Sequence, residues 1–555
     1  MTKNNLGLGS ESDNNIKKNV VAWLLSGLFG VLAGAFNFIG YSLEKFDSIK
    51  FEGNMTLIML FIMVILTIDA RYVWKSYEMS FYGRKLFGFI DLNAPPKPIS
   101  EKDFKKRTFF TLILLNLPVL LAEFPGFFVY DAQDELNEVL TRSFTTHHPL
   151  LHVLLLGGTI ALVHKLTGSW NIAIFTYIVL QMLVITLIMT YVINYLRKRG
   201  IGKNSIILWT LYYGVFPTIV MYTLCSSKDG LFSAFLLLMT VLLIELVRDT
   251  EGFMSDKKKQ MLLLASAVLM PLMRHNGFYA YLVFIPFALI YFRKKISGKL
   301  VGLLVIPIII YLIISTALSA AFTAGHKDNQ EMLTVPIMQM ARVYKYDKEE
   351  MTEEEKAILT AYIPEKNLEK YTPRVSDLVK VGFNNALYEQ DKKNFWKLWT
   401  GLFKKHPMTY INAWFLTSYG YWYPPADINV YKGNTVYTFT YDESSYFGYE
   451  VELPGERISL IPPIDKFYRY ISIGSFHKDA PVIAYLFSPG LLALIYLFVF
   501  LYRLNRRNFG GIVPFLPVIL TWLTVLLGPT YLVRYVVILW LALPLLTITG
   551  DKRFD

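Results

Sequence analysis

The sequence predicts an all-α polytopic membrane protein with about twelve transmembrane helices. Three observations predict it. The 555 residues are 54% hydrophobic and only 18% charged, against about 25% charged in soluble domains. Apolar runs near 20 residues recur along the chain, each long enough to cross a hydrocarbon core of about 30 Å as a helix. The basic residues gather in short segments between alternate runs, the pattern that orients membrane proteins. The net charge of +12 therefore reads as orientation, and no nucleic-acid partner is expected. The single cysteine, Cys225, excludes an intramolecular disulfide and a zinc centre built on cysteines.

Taken in order, residues 1–19 form a polar tail without a small-residue cleavage site. Lys17 and Lys18 place it in the cytoplasm. Val20–Tyr41 leads out and Met55–Trp74 returns. The basic segment through Arg107 stays inside, and Phe109–Ala122 leads out to a loop, 123–170. The apolar run after His148 has spanning length. Were it to cross, "YLRKRGIGKN" at 195–204 would lie outside, against the charge rule. His148–Leu166 is therefore expected to lie along the outer surface or to re-enter, with His152, His164 and Lys165 at the interface, and Asn171–Leu196 is the inward span. Ser205–Leu224, Leu231–Val247, Gln260–Met273, Gly277–Phe292 and Leu300–Phe322 follow in alternation. Segment 323–480, where acids and bases nearly balance, is an extracytoplasmic domain. It is expected to be mixed α/β, because "VYKGNTVYTFTYDESSYFGYEVEL" reads as a hairpin. Ala480–Tyr502, Ile512–Leu527 and Tyr531–Ile548 complete the bundle. The tail 549–555 is cytoplasmic, which makes a multi-pass cell-membrane protein with both termini inside.

Ionisable residues accumulate at the outer boundary. The 123–170 loop carries Asp131, Asp134, Glu135, His147 and His148. "CSSKDG" puts Lys228 and Asp229 in a tight turn, "LMRHNGFY" puts Arg274 and His275 in another, and "GPTYLVRYVV" brings Arg534 and Tyr535 to the outer end of the last span. Lone cations at such a boundary snorkel. Several on the less basic side, level with an acidic loop and with lipid phosphates, suggest a site. Lysine and arginine bind phosphate, a carboxylate acts as general base on a hydroxyl, and fixed cations stabilise a leaving phosphate. These parts suit inverting glycosyl transfer from a polyprenyl-phosphate sugar to an acceptor outside the membrane.

The motifs "YDAQDE", "HHPLLHVLLLGG", "SSKDGLF", "LMRHNGFY" and "RYVV", in this order and on one face, resemble the GT-C superfamily of integral-membrane glycosyltransferases. The neighbourhood is that of protein mannosyltransferases and aminoarabinose transferases. The resemblance covers roughly 109–295 and 480–548. It implies a GT-C-like fold with a juxtamembrane helix starting at a His-Pro segment, and an acidic base in the first outer loop. Many members place two acids side by side; here Asp131 stands alone, with Asp134 and Glu135 after it. Asp131 is the expected base and Asp134 the next choice, with Glu135 one helical turn from Asp131 to orient it. Lys228, Arg274 and Arg534 are the expected phosphate ligands, beside Asp229, His275 and Tyr535. His147 and His148 have three readings: structural, substrate-binding or metal-ligating. A divalent cation, Mg or Mn, stays open, since members differ in this. Expected partners are the polyprenyl-phosphate-linked sugar, a glycan or protein acceptor of the cell envelope, and the bilayer. The alternatives are a transporter or flippase of lipid-linked intermediates, and a polymerase or ligase of lipid-linked glycans.

Overall fold

The computed structural model describes residues 8–77, 98–322, 329–426 and 453–548 apart from 474, with 85–86, 90–92, 94–95 and 451. The described residues are predominantly helical. Seven helices among them are long and apolar enough to cross a membrane: Lys18–Phe46, Gly53–Ser76, Leu150–Thr167, Trp170–Lys198, Lys228–Arg248, His275–Phe292 and Gly298–Ala321. Two bent pairs, Lys203–Val215 with Pro217–Thr223 and Pro481–Phe487 with Pro489–Asn505, raise the number to nine. The protein is thus a multi-pass helical membrane protein.

The difference from about twelve has physical causes. The Glu101–Ala122 helix opens on Glu101, Lys102, Asp103, Lys105, Lys106 and Arg107, so its apolar part is short for a crossing. Lys257–Met273 has 17 residues, and Phe509–Val525 is also short. The expected last span is not one helix: Val533–Val536 is a 3-10 turn, followed by short helices Ile538–Leu541 and Leu543–Ile548. Irregular backbone at membrane depth needs protein around it, and Leu532, Val533 and Val536–Ala542 are all buried.

The hub is the Lys228–Arg248 helix, with 83% of its most apolar stretch buried, against 6% for Gly53–Ser76 at the periphery. It packs on Lys257–Met273 and Trp170–Lys198. Its leucines, Met239 and Phe232 join the single large core of the bundle. At one end of the bundle Lys198 pairs with Glu101 at 3.0 Å and Lys259 with Glu245. At the other, Arg457 pairs with Glu123 and Glu456 receives the Asn171 amide at its carbonyl over 2.7 Å.

Leu150–Thr167 runs between the Lys228 site and the Trp170–Lys198 helix. Its first turn follows His148, which touches Lys228, and Lys228 opens the hub helix at the Glu123 end. Its last turn leads through Ser169 to Trp170 and Asn171. Its length and apolarity suit a crossing.

Residues 334–418 add a second, smaller core built by Thr334–Tyr346, Glu353–Tyr362, Lys392–Lys405 and Pro407–Ser418. Thr352 opens the second of these with a reciprocal capping box to Glu355. The described part of 323–480 is helical or irregular, with isolated bridges such as Thr372 to Val375. The expected hairpin, 430–453, falls almost wholly outside the described residues. The one two-stranded sheet among those described joins Lys85–Leu86 to Ile90–Asp91, in the loop before Glu101.

Candidate active site

The loop after Glu123 is stitched to the hub before any charged group comes into play. Phe127 donates its amide to the Leu224 carbonyl over 3.0 Å, and Ser226 returns one to Phe127 over 2.9 Å. The Ser226 hydroxyl donates to the Phe127 carbonyl and accepts the Val129 amide. The buried Gln181 amide clamps the Thr223 and Cys225 carbonyls. Buried backbone groups must be paired, and this pairing sets the Asp131 loop beside Lys228. Between them Tyr130 takes a left-handed φ of +68°, a conformation that costs about 1–3 kcal/mol in a side-chain-bearing residue. Its ring lies under the Arg534 guanidinium at 4.6 Å.

Asp131 follows as the N-cap residue of Ala132–Thr141. One turn on, Glu135 shares its face. That helix lies close against Leu150–Thr167, because position 157 is glycine. A Cβ there would stand 2.5 Å from Val139 Cγ2 and 3.0 Å from the Glu135 carbonyl oxygen.

Six side chains then alternate in charge. Glu135 meets Lys228 at 3.4 Å, and Lys228 donates to Asp131 over 2.6 Å. Arg534 reaches the same Asp131 oxygen at 3.3 Å and faces Asp229 at 3.7 Å. Asp229, fully buried, pairs with Arg274. Tyr535 offers its ring to Arg274 at 4.3 Å and to Arg534 at 4.9 Å. Lys228 also donates to His148 Nδ1 over 2.9 Å, and the His147 ring lies edge-on to His148 at 4.5 Å.

Electrostatics follow from these contacts. Burial alone would push the Asp131 carboxyl up, but Arg534 and Lys228 overcome it and hold it well below the usual range. Burial likewise opposes ionisation of Glu135, yet His152 and Lys228 bring it down to about 2. Burial and the Lys228 charge push His148 down to about 3, so its ring is neutral and accepts from the ammonium.

Asp131, His147, His148, Lys228, Arg274, Arg534 and Tyr535 line one cavity of about 360 Å³. Asp229 stands behind its arginines. Asp134 is exposed and does not line the cavity; His275 lines a smaller neighbouring one and approaches the Tyr311 hydroxyl at 3.4 Å.

Sequence reasoning missed two groups. Glu331, Asp377 and Lys380 of the 334–418 region and its flank close the cavity from the far side, with Lys380 held by Glu331 at 2.8 Å and Asp377 at 3.0 Å. His152, expected at the interface, is instead fully buried. Its Nδ1 lies 2.5 Å from Glu135, and its Nε2 lies 2.9 Å from the Tyr177 hydroxyl, which donates to Gln181. The available signals were His152 one turn after His148, and Gln181 alone in an apolar run.

Donor atoms of Asp131, Glu135 and His148 lie within 4.8 Å of one another, the only group among the described residues placed to hold a metal ion. The Lys228 ammonium lies within hydrogen-bonding distance of all three. Fold and site together define a multi-pass helical membrane protein with a charge-alternating cavity at one end of its bundle. The chain belongs to the DUF6020 family, described as a family of unknown function, whose model matches residues 138–552. The match takes in His147, His148, Lys228, Asp229, Arg274, His275, Arg534 and Tyr535, and begins after Asp131, Asp134 and Glu135. No curated protein and no solved structure matches the chain.

Proposed function

We propose that this protein is an inverting, GT-C-like glycosyltransferase that moves a sugar from a polyprenyl-phosphate carrier to an acceptor of the cell envelope. In this reading both termini are cytoplasmic, Leu150–Thr167 lies along the outer surface, and the cavity opens on the extracytoplasmic face. The observation that carries it is the Asp131 carboxylate held at a cavity wall between Lys228 and Arg534, with Arg274 on the same wall.

The chemistry has three parts. Asp131 takes the proton of the acceptor hydroxyl. The freed oxygen bonds to the anomeric carbon as the bond from that carbon to the phosphate oxygen breaks. The electron pair leaves with the polyprenyl phosphate, which Lys228, Arg274 and Arg534 stabilise as its charge grows. Helix N-termini add to this. Asp131, Ser227 and Arg274 are the N-cap residues of Ala132–Thr141, Lys228–Arg248 and His275–Phe292, and such ends favour anions. No step requires a metal ion, and the donor bond supplies the driving force.

The test is the envelope glycan of a strain lacking this protein, compared after restoring the native chain or Asp131→Asn. One sugar branch should vanish with the gene, return with the native chain, and fall by about 10²-fold or more with the variant at equal abundance, the scale of a lost general base. An unchanged glycan in the deletion strain would remove the glycosyltransferase reading. Full restoration by Asp131→Asn would remove the base assignment alone.

A further inference from the structure

We propose that the Lys228 ammonium is the resident cation of the Asp131–Glu135–His148 cluster, and that these three side chains take up a divalent ion only when Lys228 is removed. The inference concerns what fills the cluster and stands whichever reaction the cavity performs.

Geometry is the first argument. Nζ of Lys228 lies 2.6 Å from Asp131 Oδ2, 2.9 Å from His148 Nδ1 and 3.4 Å from Glu135 Oε1. An ammonium has three N–H donors and no acceptor, and here it faces three acceptors. His148 Nδ1 stands 4.0 Å from each of the two carboxylate oxygens. Magnesium bonds its ligands at about 2.0–2.1 Å, which sets opposite ligand atoms about 4.2 Å apart. The donor atoms are thus spaced as a small cation requires, and the ammonium nitrogen already lies within hydrogen-bonding distance of all three.

Charge is the second argument. The chain Glu135, Lys228, Asp131, Arg534, Asp229 and Arg274 alternates anion and cation and sums to zero. A divalent ion beside the ammonium would add two positive charges within hydrogen-bonding distance of a fixed one, in a site where Coulomb energies are weakly screened.

Placement is the third. Lys228 is only 8% exposed and lies in the first turn of the hub helix. Two residues on, Gly230 lets that turn press against Tyr222, whose carbonyl oxygen would stand 2.4 Å from a Cβ at this position. The ammonium is thus delivered by the most buried of the candidate spans among the described residues.

Manganese binding to the purified full-length protein in detergent, stripped by chelator, tests the proposal by electron paramagnetic resonance and titration calorimetry. The native chain should show no stoichiometric site. Lys228→Ala should take up about one Mn²⁺ per chain, at least about tenfold more tightly than the native protein because the like charge is gone. Adding His148→Ala or Glu135→Gln to it should abolish that site. Stoichiometric Mn²⁺ on the native chain that His148→Ala removes would overturn the proposal, as would a folded Lys228→Ala that binds no better than native. Where Lys228→Ala does not fold, the native chain decides alone: no site upholds the resident ammonium, and a His148-dependent site ends it. None of these outcomes depends on sugar transfer, so failure here is separable from failure of the glycosyltransferase reading.

Discussion

Lys228 and Asp131 are joined by a 2.6 Å hydrogen bond between an ammonium and a carboxylate that lie 97 residues apart in sequence. Arg534 reaches the same carboxylate oxygen at 3.3 Å. A carboxylate held by two cations stays ionised across the physiological range but is a weak base. In the proposed reaction the donor phosphate competes for both cations, and Asp131 gains basicity as they turn to it.

Replacing Lys228 by Met removes one of the two charges that depress the Asp131 carboxyl. Its pKa then rises, and the acid limb of the pH profile of kcat/KM moves to higher pH. Transfer should also fall by about 10²-fold or more, the scale of losing one group that stabilises developing charge. An acid limb that stays in place would show that Asp131 is not the group titrating.

Asp229 has no exposed surface and stands between Arg274 and Arg534. Asp229→Asn leaves the buried Arg534 and the half-buried Arg274 short of an anion and should destabilise the protein by about 3 kcal/mol, read as a lowered unfolding temperature in detergent. Asp229→Asn with Arg274→Met should lose less than the two single variants summed, the signature of coupled neighbours. Additive losses would mean that the pair does not act as one unit.

Neighbouring glycines provide a matched pair. A Cβ at Gly157 collides with Val139 and the Glu135 carbonyl, whereas one at Gly158 meets nothing within 4 Å. Gly157→Val should push Ala132–Thr141 away, part Glu135 from His152, and cost about 1–3 kcal/mol. Gly158→Ala should be neutral or stabilising by up to about 1 kcal/mol, because alanine favours helix over glycine. Equal effects at both positions would refute the close packing of these helices.

The parts of this site that the sequence exposes are those where charge stands against an apolar background. Asp131, Lys228, Arg274 and Arg534 each end an apolar run at the same level, and side counting alone places them together. What stays hidden has a different physical basis. Lys380 and Glu331 come from a segment where acids and bases balance, so no charge anomaly marks them. His152 is polar in an apolar helix, and only the fold shows that Glu135 and Tyr177 meet its two ring nitrogens. Hydropathy reports depth rather than regularity. For that reason Tyr531–Ile548 reads as a span, although its backbone breaks at Val533–Val536 and thereby turns Arg534 and Tyr535 to the cavity wall.

His148 gives the protein a defined response to acid. Its ring is buried and faces Lys228 at 2.9 Å, Asp131 and Glu135 at 4.0 Å each, and the His147 ring. Burial and the Lys228 charge push its pKa from 6.5 down to about 3. The unfolded chain therefore binds a proton near pH 6.5 that the folded chain refuses, and stability falls as pH drops from 6.5 toward 3. The carboxylates act in another window. Asp131 and Glu135 have folded values below their ordinary ones, so their contribution is present above about pH 4 and lost only as pH falls through the folded values. A decline in unfolding temperature between pH 7 and pH 5 accordingly belongs to histidine. His147, also lowered by burial, acts in the same direction. His148→Gln, which keeps an acceptor for Lys228 but cannot titrate, should flatten most of that decline, and an unaltered slope in the variant would show that His148 does not titrate with unfolding.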